Sequence, residues 1–261
     1  MRKLLLSIIV IHPVLALDFN PVFKEVSSGD VILPESNLQS DTTVLKVKKF
    51  EMMKTEVTQS QWLKFMPNNS AYFSRKKYCP SSFRYKGLNR LCPDFPMENV
   101  NFHQVEDFIG KLNKSSKKYY YSLPSIAEYH LAYWGAVKSK NYKRELKVKM
   151  DKFHNDLSQL VHQRRTRAVN SDIQSNRKFS YLIGNVWEWS RDKLVYERPM
   201  YKFPYMRDSV LKIKNKKAPV NAAFFGGHFG SEYMIKESIV ESDRLAWASN
   251  MLGFRLIRRR R

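Results

Sequence analysis

Several groups of residues in this 261-residue chain carry side chains capable of chemistry. The segment Gly184-Asn185-Val186-Trp187-Glu188-Trp189 compresses an amide, a carboxylate and two indoles into one hexapeptide. In extended backbone Trp187 and Trp189 leave the same face, where they could bury a large aromatic area, and Val186 and Glu188 take the other. A buried carboxylate there demands a hydrogen-bond donor, a cation or a metal. The residue pattern by itself fits an aromatic core strand as well as a functional site. His228, Ser231 and Glu232 invite a nucleophilic triad, but residues of one short segment rarely converge in that geometry, and the G-x-S-x-G elbow is absent. His103, His130, His154, His162 and His228 do not pair with Cys or with one another at metal-ligand spacing, so they read as isolated surface or core residues. Cys79 and Cys92, each followed by proline, read as one disulfide closing a short loop, which the chain-entropy estimate values at about 3 kcal/mol.

Five blocks in order carry a resemblance. GNVWEW followed by Ser190-Arg191-Asp192 is similar to the signature of the formylglycine-generating enzyme, or sulfatase-modifying factor, family. Phe50 to Thr58 resembles the family's "F-x-M-x-K-x-E-V-T", and Pro96 to Phe102 its "P-V-x-x-V-S-W". Tyr121 to Tyr129 is close to "Y-R-L-P-T-E-A-E-W", and Gly226-Gly227 through Arg244 to Gly253-Phe254-Arg255 follows "G-G-S-W … R … G-F-R". Arg167 to Tyr181, with Asn176 and Phe179, also resembles the run before the signature. The resemblance implies a single α+β domain over residues 17–261, irregular, poor in regular secondary structure and of C-type-lectin-like fold.

Enzymes of this family bind copper through a pair of cysteines, because soft thiolates select Cu(I) and two-coordinate ligation leaves room for a substrate thiol and oxygen. The resemblance places those positions near Ser231 and Lys236, with Arg244 where the family carries a substrate-pocket arginine. No cysteine follows Cys92. An alcohol is a hard, poorly acidic ligand and an ammonium is a cation, so neither replaces a copper dithiolate. Copper-dependent oxidase chemistry is therefore not expected, no catalytic residue is assigned, and a non-catalytic binding protein is the expected function. The alternatives are an enzyme of a different oxidative or modifying chemistry on the same scaffold, with Arg244 and His228 binding substrate beside Ser231, and a structural envelope component that binds acidic polymer. Ser231, Arg244, His228, Trp187 and Trp189 remain as candidates for a binding pocket. The family also binds calcium through oxygen ligands near the signature, which makes Asn185 and Glu188 candidate calcium ligands; the alternative is that Glu188 pairs with an arginine or backbone amides.

Three helix starts must position these groups. Thr58-x-x-Gln61 leads into Trp62, Phe65 and Met66, and Asn101-x-x-Gln104 leads into an apolar stripe of Phe102, Val105, Phe108, Ile109 and Leu112. Ser125-x-x-Glu128 is the third, with Gly135 as its stop. Residues 138–176 are charged and weakly patterned, with a short helix expected from His154 to Val161.

Hydrophobic residues make up 43% of the chain and aromatics 13%, enough for a sizeable core and too much for a disordered chain. Residues 1–16 read as a secretory signal: Arg2 and Lys3, an apolar run from Leu4, Pro13, then Val14-Leu15-Ala16. That run is short for a membrane span, so the expectation is a protein exported to the periplasm or beyond the cell, with an uncleaved anchor, raised by His12 within the apolar run, as the alternative. Losing Arg2 and Lys3 lowers the net charge from +22 to +20. A charge of that size attracts acidic partners, and a partner protein or an acidic envelope ligand is expected rather than nucleic acid, for which no binding motif is present. The basic residues concentrate at Lys138 to Lys152 and at Arg258 to Arg261, the latter expected as surface.

Overall fold

The computed structural model describes residues 19–32, 44–85, 89–137, 144, 148, 151–152, 165–171, 178–195, 220–230 and 240–261. The signal-like segment, the expected helix at 154–161, and Ser231, Glu232 and Lys236 lie outside the described residues.

All three helix starts form as their end residues dictate. In α1 (Gln59–Leu63), α2 (Phe102–Ser115) and α3 (Ile126–Trp134) the caps are Thr58, Asn101 and Ser125, each in a reciprocal capping box with Gln61, Gln104 or Glu128. Each cap satisfies two N–H groups that the first turn leaves without a partner, worth about 1 kcal/mol apiece. Gly135 ends α3 at φ 72°, its N–H donating to the Leu131 carbonyl. Helix α2 buries Phe102, Val105, Phe108 and Leu112, and half-buried Ile109 packs beside them.

The strands are β1 (Phe23–Val26), β2 (Gly29–Ile32), β3 (Val44–Val47), β4 (Phe50–Met53), β5 (Phe83–Tyr85), β6 (Asn89–Leu91), β7 (Tyr119–Ser122), β8 (Trp187–Val195), β9 (Val220–Phe225), β10 (Val240–Arg244), β11 (Leu252–Gly253) and β12 (Ile257–Arg260). Among the described residues they form two four-stranded sheets, in the orders β1-β4-β12-β7 and β10-β9-β8-β11, and two antiparallel two-stranded sheets, β2-β3 and β5-β6. The C-terminal strand β12 thus lies inside its sheet, antiparallel to both β4 and β7, and β11 runs parallel to β8.

Period-two alternation divides the interior into two cores. On β9, Ala222 and Phe224 face the first, and Ala223 and Phe225 the second. On β4, Met53 joins the first and Phe50 and Met52 the second. The first core is aromatic at its centre: Trp62 stacks on Phe108 at 5.3 Å and meets Phe254 edge-on at 6.0 Å. In β8 both tryptophans enter this first core, as alternation predicts, and Glu188 points to the other side.

Central placement of β12 revises the reading of the terminal arginines. Arg258 makes a bidentate ion pair with Glu51 at 2.9 and 3.1 Å, and its guanidinium lies 4.2 Å from the Phe23 ring centre and 4.0 Å from that of Tyr119. Arg259 pairs with buried Glu128, which also takes Arg191, and Arg261 donates to the carbonyls of Tyr119 and Asn113. The run expected as a free basic surface is therefore largely sheet and ion pair.

Candidate functional site

Glu188, projecting from β8 into the second core, receives a complete set of donors. Oε1 accepts from Arg255 Nη2 at 2.6 Å; Oε2 accepts from Arg255 Nε at 2.6 Å and from the Tyr129 hydroxyl. Both members of the pair are buried, at 0% and 1% exposure. Arg255 spends its remaining N–H groups on four carbonyls, those of Met53 and Lys54 at the end of β4 and of Ser180 and Tyr181 before the signature. A guanidinium has five N–H groups in a fixed fork, and each has an acceptor here. Burial opposes the charge on Arg255, but the Glu188 carboxylate beside it keeps the guanidinium charged. Burial likewise pushes the Glu188 carboxyl upward, against the attraction of Arg255 and the hydroxyl of Tyr129.

Asn185 occupies the turn just before β8 in the left-handed region, φ 60°, which asparagine tolerates better than most residues. Its Nδ2 donates to Glu56 Oε1 at 2.8 Å and its Oδ1 accepts from the Arg167 amide at 2.9 Å. Its own carbonyl accepts from Phe229, and Gly184 N–H donates to the Gly226 carbonyl, so the signature turn is tied to the Gly226-Gly227 block. Gly226 itself sits at φ 103°, and a Cβ there would stand 2.9 Å from the Leu182 carbonyl oxygen. Burial raises Glu56 to about 8, against the attraction of Arg255 and with Glu188 disfavouring a second negative charge.

Sequence reasoning missed Glu56, Tyr129 and Arg255, although all three stand within the resembled blocks. The blocks "E-V-T", "A-E-Y", "G-N-V-W-E-W" and "G-F-R" converge on this one buried network, so their recurrence together marks an internal joint. Asn185 and Glu188 do not fit a calcium ion: the carboxylate is filled by a guanidinium and a hydroxyl, and the asparagine oxygen by an amide N–H.

The pocket candidates separate. Trp189 is fully buried in the first core, edge-on to Phe102 and Phe224, with its indole N–H donating to the Val100 carbonyl at 3.0 Å. Trp187 is buried beside Phe224, its ring 6.3 Å from that of His228. His228 is mostly buried, accepts at Nδ1 from Gly230 N–H at 3.0 Å, and is lowered by burial to about 4, hence neutral at pH 7. Arg244 is 83% exposed on β10, with its neighbour Asp243 at 3.9 Å. Ser231, on which the pocket was centred, lies outside the described residues.

Both cysteines are committed: Cys79 and Cys92 form a disulfide with Cα atoms 6.2 Å apart. Neither thiol is available as a copper ligand, and the hydroxyl and ammonium of Ser231 and Lys236 are the wrong donors, so these residues do not fit copper.

The two four-stranded sheets, the three capped helices and the network beneath the signature define an α+β domain of sulfatase-modifying-factor type. The family model for the sulfatase-modifying factor enzyme 1-like domain matches residues 25–260, and the chain belongs to that family. Among solved structures it is similar to Treponema denticola variable protein 1, at 19% identity and TM-score 0.61, over 90% of this chain and 94% of that one. It is similar to CarF at 16% identity and TM-score 0.56, over 92% of this chain and 98% of that one. PvdO from Pseudomonas aeruginosa gives 16% identity and TM-score 0.53, over 91% and 94%. At these identities the likeness is one of fold. None of the curated proteins compared matches the chain by sequence. No helix among the described residues is long and apolar enough to cross a membrane.

Proposed function

We propose that this chain is an exported, non-oxidising member of its family that binds a ligand or a partner through its surface. The observation that carries the reading is the fate of the cysteines. The chain has two, both are joined in one disulfide, and none follows Cys92. Without a thiolate pair there is no site for Cu(I) to bind the substrate thiol and oxygen together. Export is supported by the signal-like residues 1–16 and by the disulfide, which persists in an oxidising compartment. Asn185 and Glu188 of the signature are meanwhile engaged by Glu56, Arg167, Tyr129 and Arg255, which supports their service as a scaffold.

Incubation of the purified protein with Cu(I), oxygen and a cysteine-containing sulfatase peptide tests this. Mass spectrometry is expected to recover the peptide with its cysteine intact. Conversion of that cysteine to an aldehyde would overturn the proposal.

A further inference from the structure

From Val57 to Pro93 the chain carries seven Lys and Arg and no Asp or Glu. The middle of this run is a 3₁₀ turn at Tyr72–Ser74 followed by Arg75, Lys76 and Lys77, and its surface combines rings with cations. Tyr72 is 52% exposed, its ring centre 5.5 Å from that of half-buried Tyr78, and Arg75, Lys76 and Lys77 are exposed. Lys77 Nζ stands 4.7 Å from the Tyr78 ring centre. A further cation arrives from elsewhere in the chain: exposed Arg165 donates through Nη1 to the carbonyls of Lys77 and Tyr78.

This surface is held from beneath by buried groups. Glu98 Oε1 accepts from Phe73 N–H at 2.9 Å, Gln59 Nε2 donates to the Phe73 carbonyl at 3.3 Å, and Ser82 Oγ donates to the Ser74 carbonyl at 2.6 Å. Cys92, held by Gln59 through its N–H at 2.9 Å, closes the far side by the disulfide to Cys79. Phe73 packs edge-on against Phe229 at 5.5 Å, which ties the turn to the Gly226-Gly227 block. Glu98 is raised by burial to about 8 and so places no negative charge under the turn at neutral pH. A fixed array loses little freedom on binding, which favours a ligand that matches its spacing.

We propose that this turn binds an acidic polysaccharide, with Tyr72 offering its ring face to a sugar ring and Arg75, Lys76, Lys77 and Arg165 engaging the carboxylates. This names the ligand class for the non-catalytic reading above and rests on it. The clustered positive charge calls for a polyanion. The exposed ring calls for a ligand with faces to stack on, which every unit of a sugar polymer offers and a run of acidic side chains does not. The disulfide puts the site in an oxidising compartment, where a polyanion carrying rings is a sugar polymer rather than RNA.

Affinity electrophoresis of the full chain should be run through gels containing polygalacturonate, dextran, poly-L-glutamate or polyuridylate. Retardation by polygalacturonate is expected to exceed that by the other three, and to weaken steeply from low to physiological salt. Tyr72→Ala should lose severalfold in affinity, and Lys76→Glu/Lys77→Glu at least tenfold. Lys114→Glu/Lys117→Glu, which changes the net charge equally on another exposed surface, should lose less than twofold. Equal losses in the two charge-reversed variants, an unchanged Tyr72→Ala, or stronger retention by poly-L-glutamate or polyuridylate would overturn the site. Absence of retention by polygalacturonate would overturn it too, with the non-oxidising reading still standing on the intact sulfatase peptide. An aldehyde on that peptide would instead remove the reading on which the site rests.

Discussion

Arg255→Met is expected to destabilise the protein by about 3–5 kcal/mol, the range for removing one partner of a buried ion pair. Three losses act together. Glu188 keeps only the Tyr129 hydroxyl and must either stay charged in a low-dielectric interior or take up a proton. The carbonyls of Met53, Lys54, Ser180 and Tyr181 lose their guanidinium donor. With it goes a side chain that joins the end of β4, the segment before the signature, and β8. Methionine replaces much of the volume, which confines the effect to the polar groups. Arg255→Met combined with Glu188→Gln is expected to cost less than the sum of the two single changes, because no charge is then stranded. Midpoints in urea report all four stabilities. A loss below about 1 kcal/mol for Arg255→Met would mean that water reaches Glu188 and that the network does not hold the fold together.

Trp189→Ala is expected to cost a similar 3–5 kcal/mol, by a different route. The indole fills the first core between Phe102 and Phe224, so truncation opens a cavity between α2 and β9. It also leaves the buried Val100 carbonyl without its donor. Trp189→Phe separates the two effects, since it retains most of the ring contact and loses the hydrogen bond; about 1–3 kcal/mol is expected. Equilibrium unfolding in urea checks both. A Trp189→Ala protein as stable as the parent would contradict the placement of this residue in the core.

What could be read from the residues and what could not divide by distance along the chain. Capping boxes at Thr58, Asn101 and Ser125 are contacts between residues three apart, and the apolar stripe of α2 spans a few turns, so both were visible in the spacing. The disulfide was legible because two cysteines offer one pairing. Side-chain alternation placed Trp187 and Trp189 on one face and required a donor for Glu188, yet that donor stands 67 residues away at Arg255. No local pattern specifies such a pair. The same limit explains the terminal arginines: four basic residues in a row look solvated until β12 is placed between β4 and β7, which brings Glu51 and Glu128 to them. Glu56 sat unremarked in the "E-V-T" block, although a lone acid beside Val57 carried the same demand for a partner as Glu188. The turn at Tyr72 passed unnoticed because its cations are ordinary one at a time; the absence of acids from Val57 to Pro93 was the available signal.

Arg255 supplies at Glu188 the positive charge that a buried carboxylate requires, which leaves Glu188 no need of a metal ion. Thermal unfolding of the metal-stripped protein, with millimolar calcium and with a chelator, tests it most directly. The same midpoint is predicted in both, because an ion that does not bind the folded state cannot stabilise it. A midpoint several degrees higher in calcium that is lost in Asn185→Ala would place a cation at the signature and contradict the internal ion pair as its organising charge.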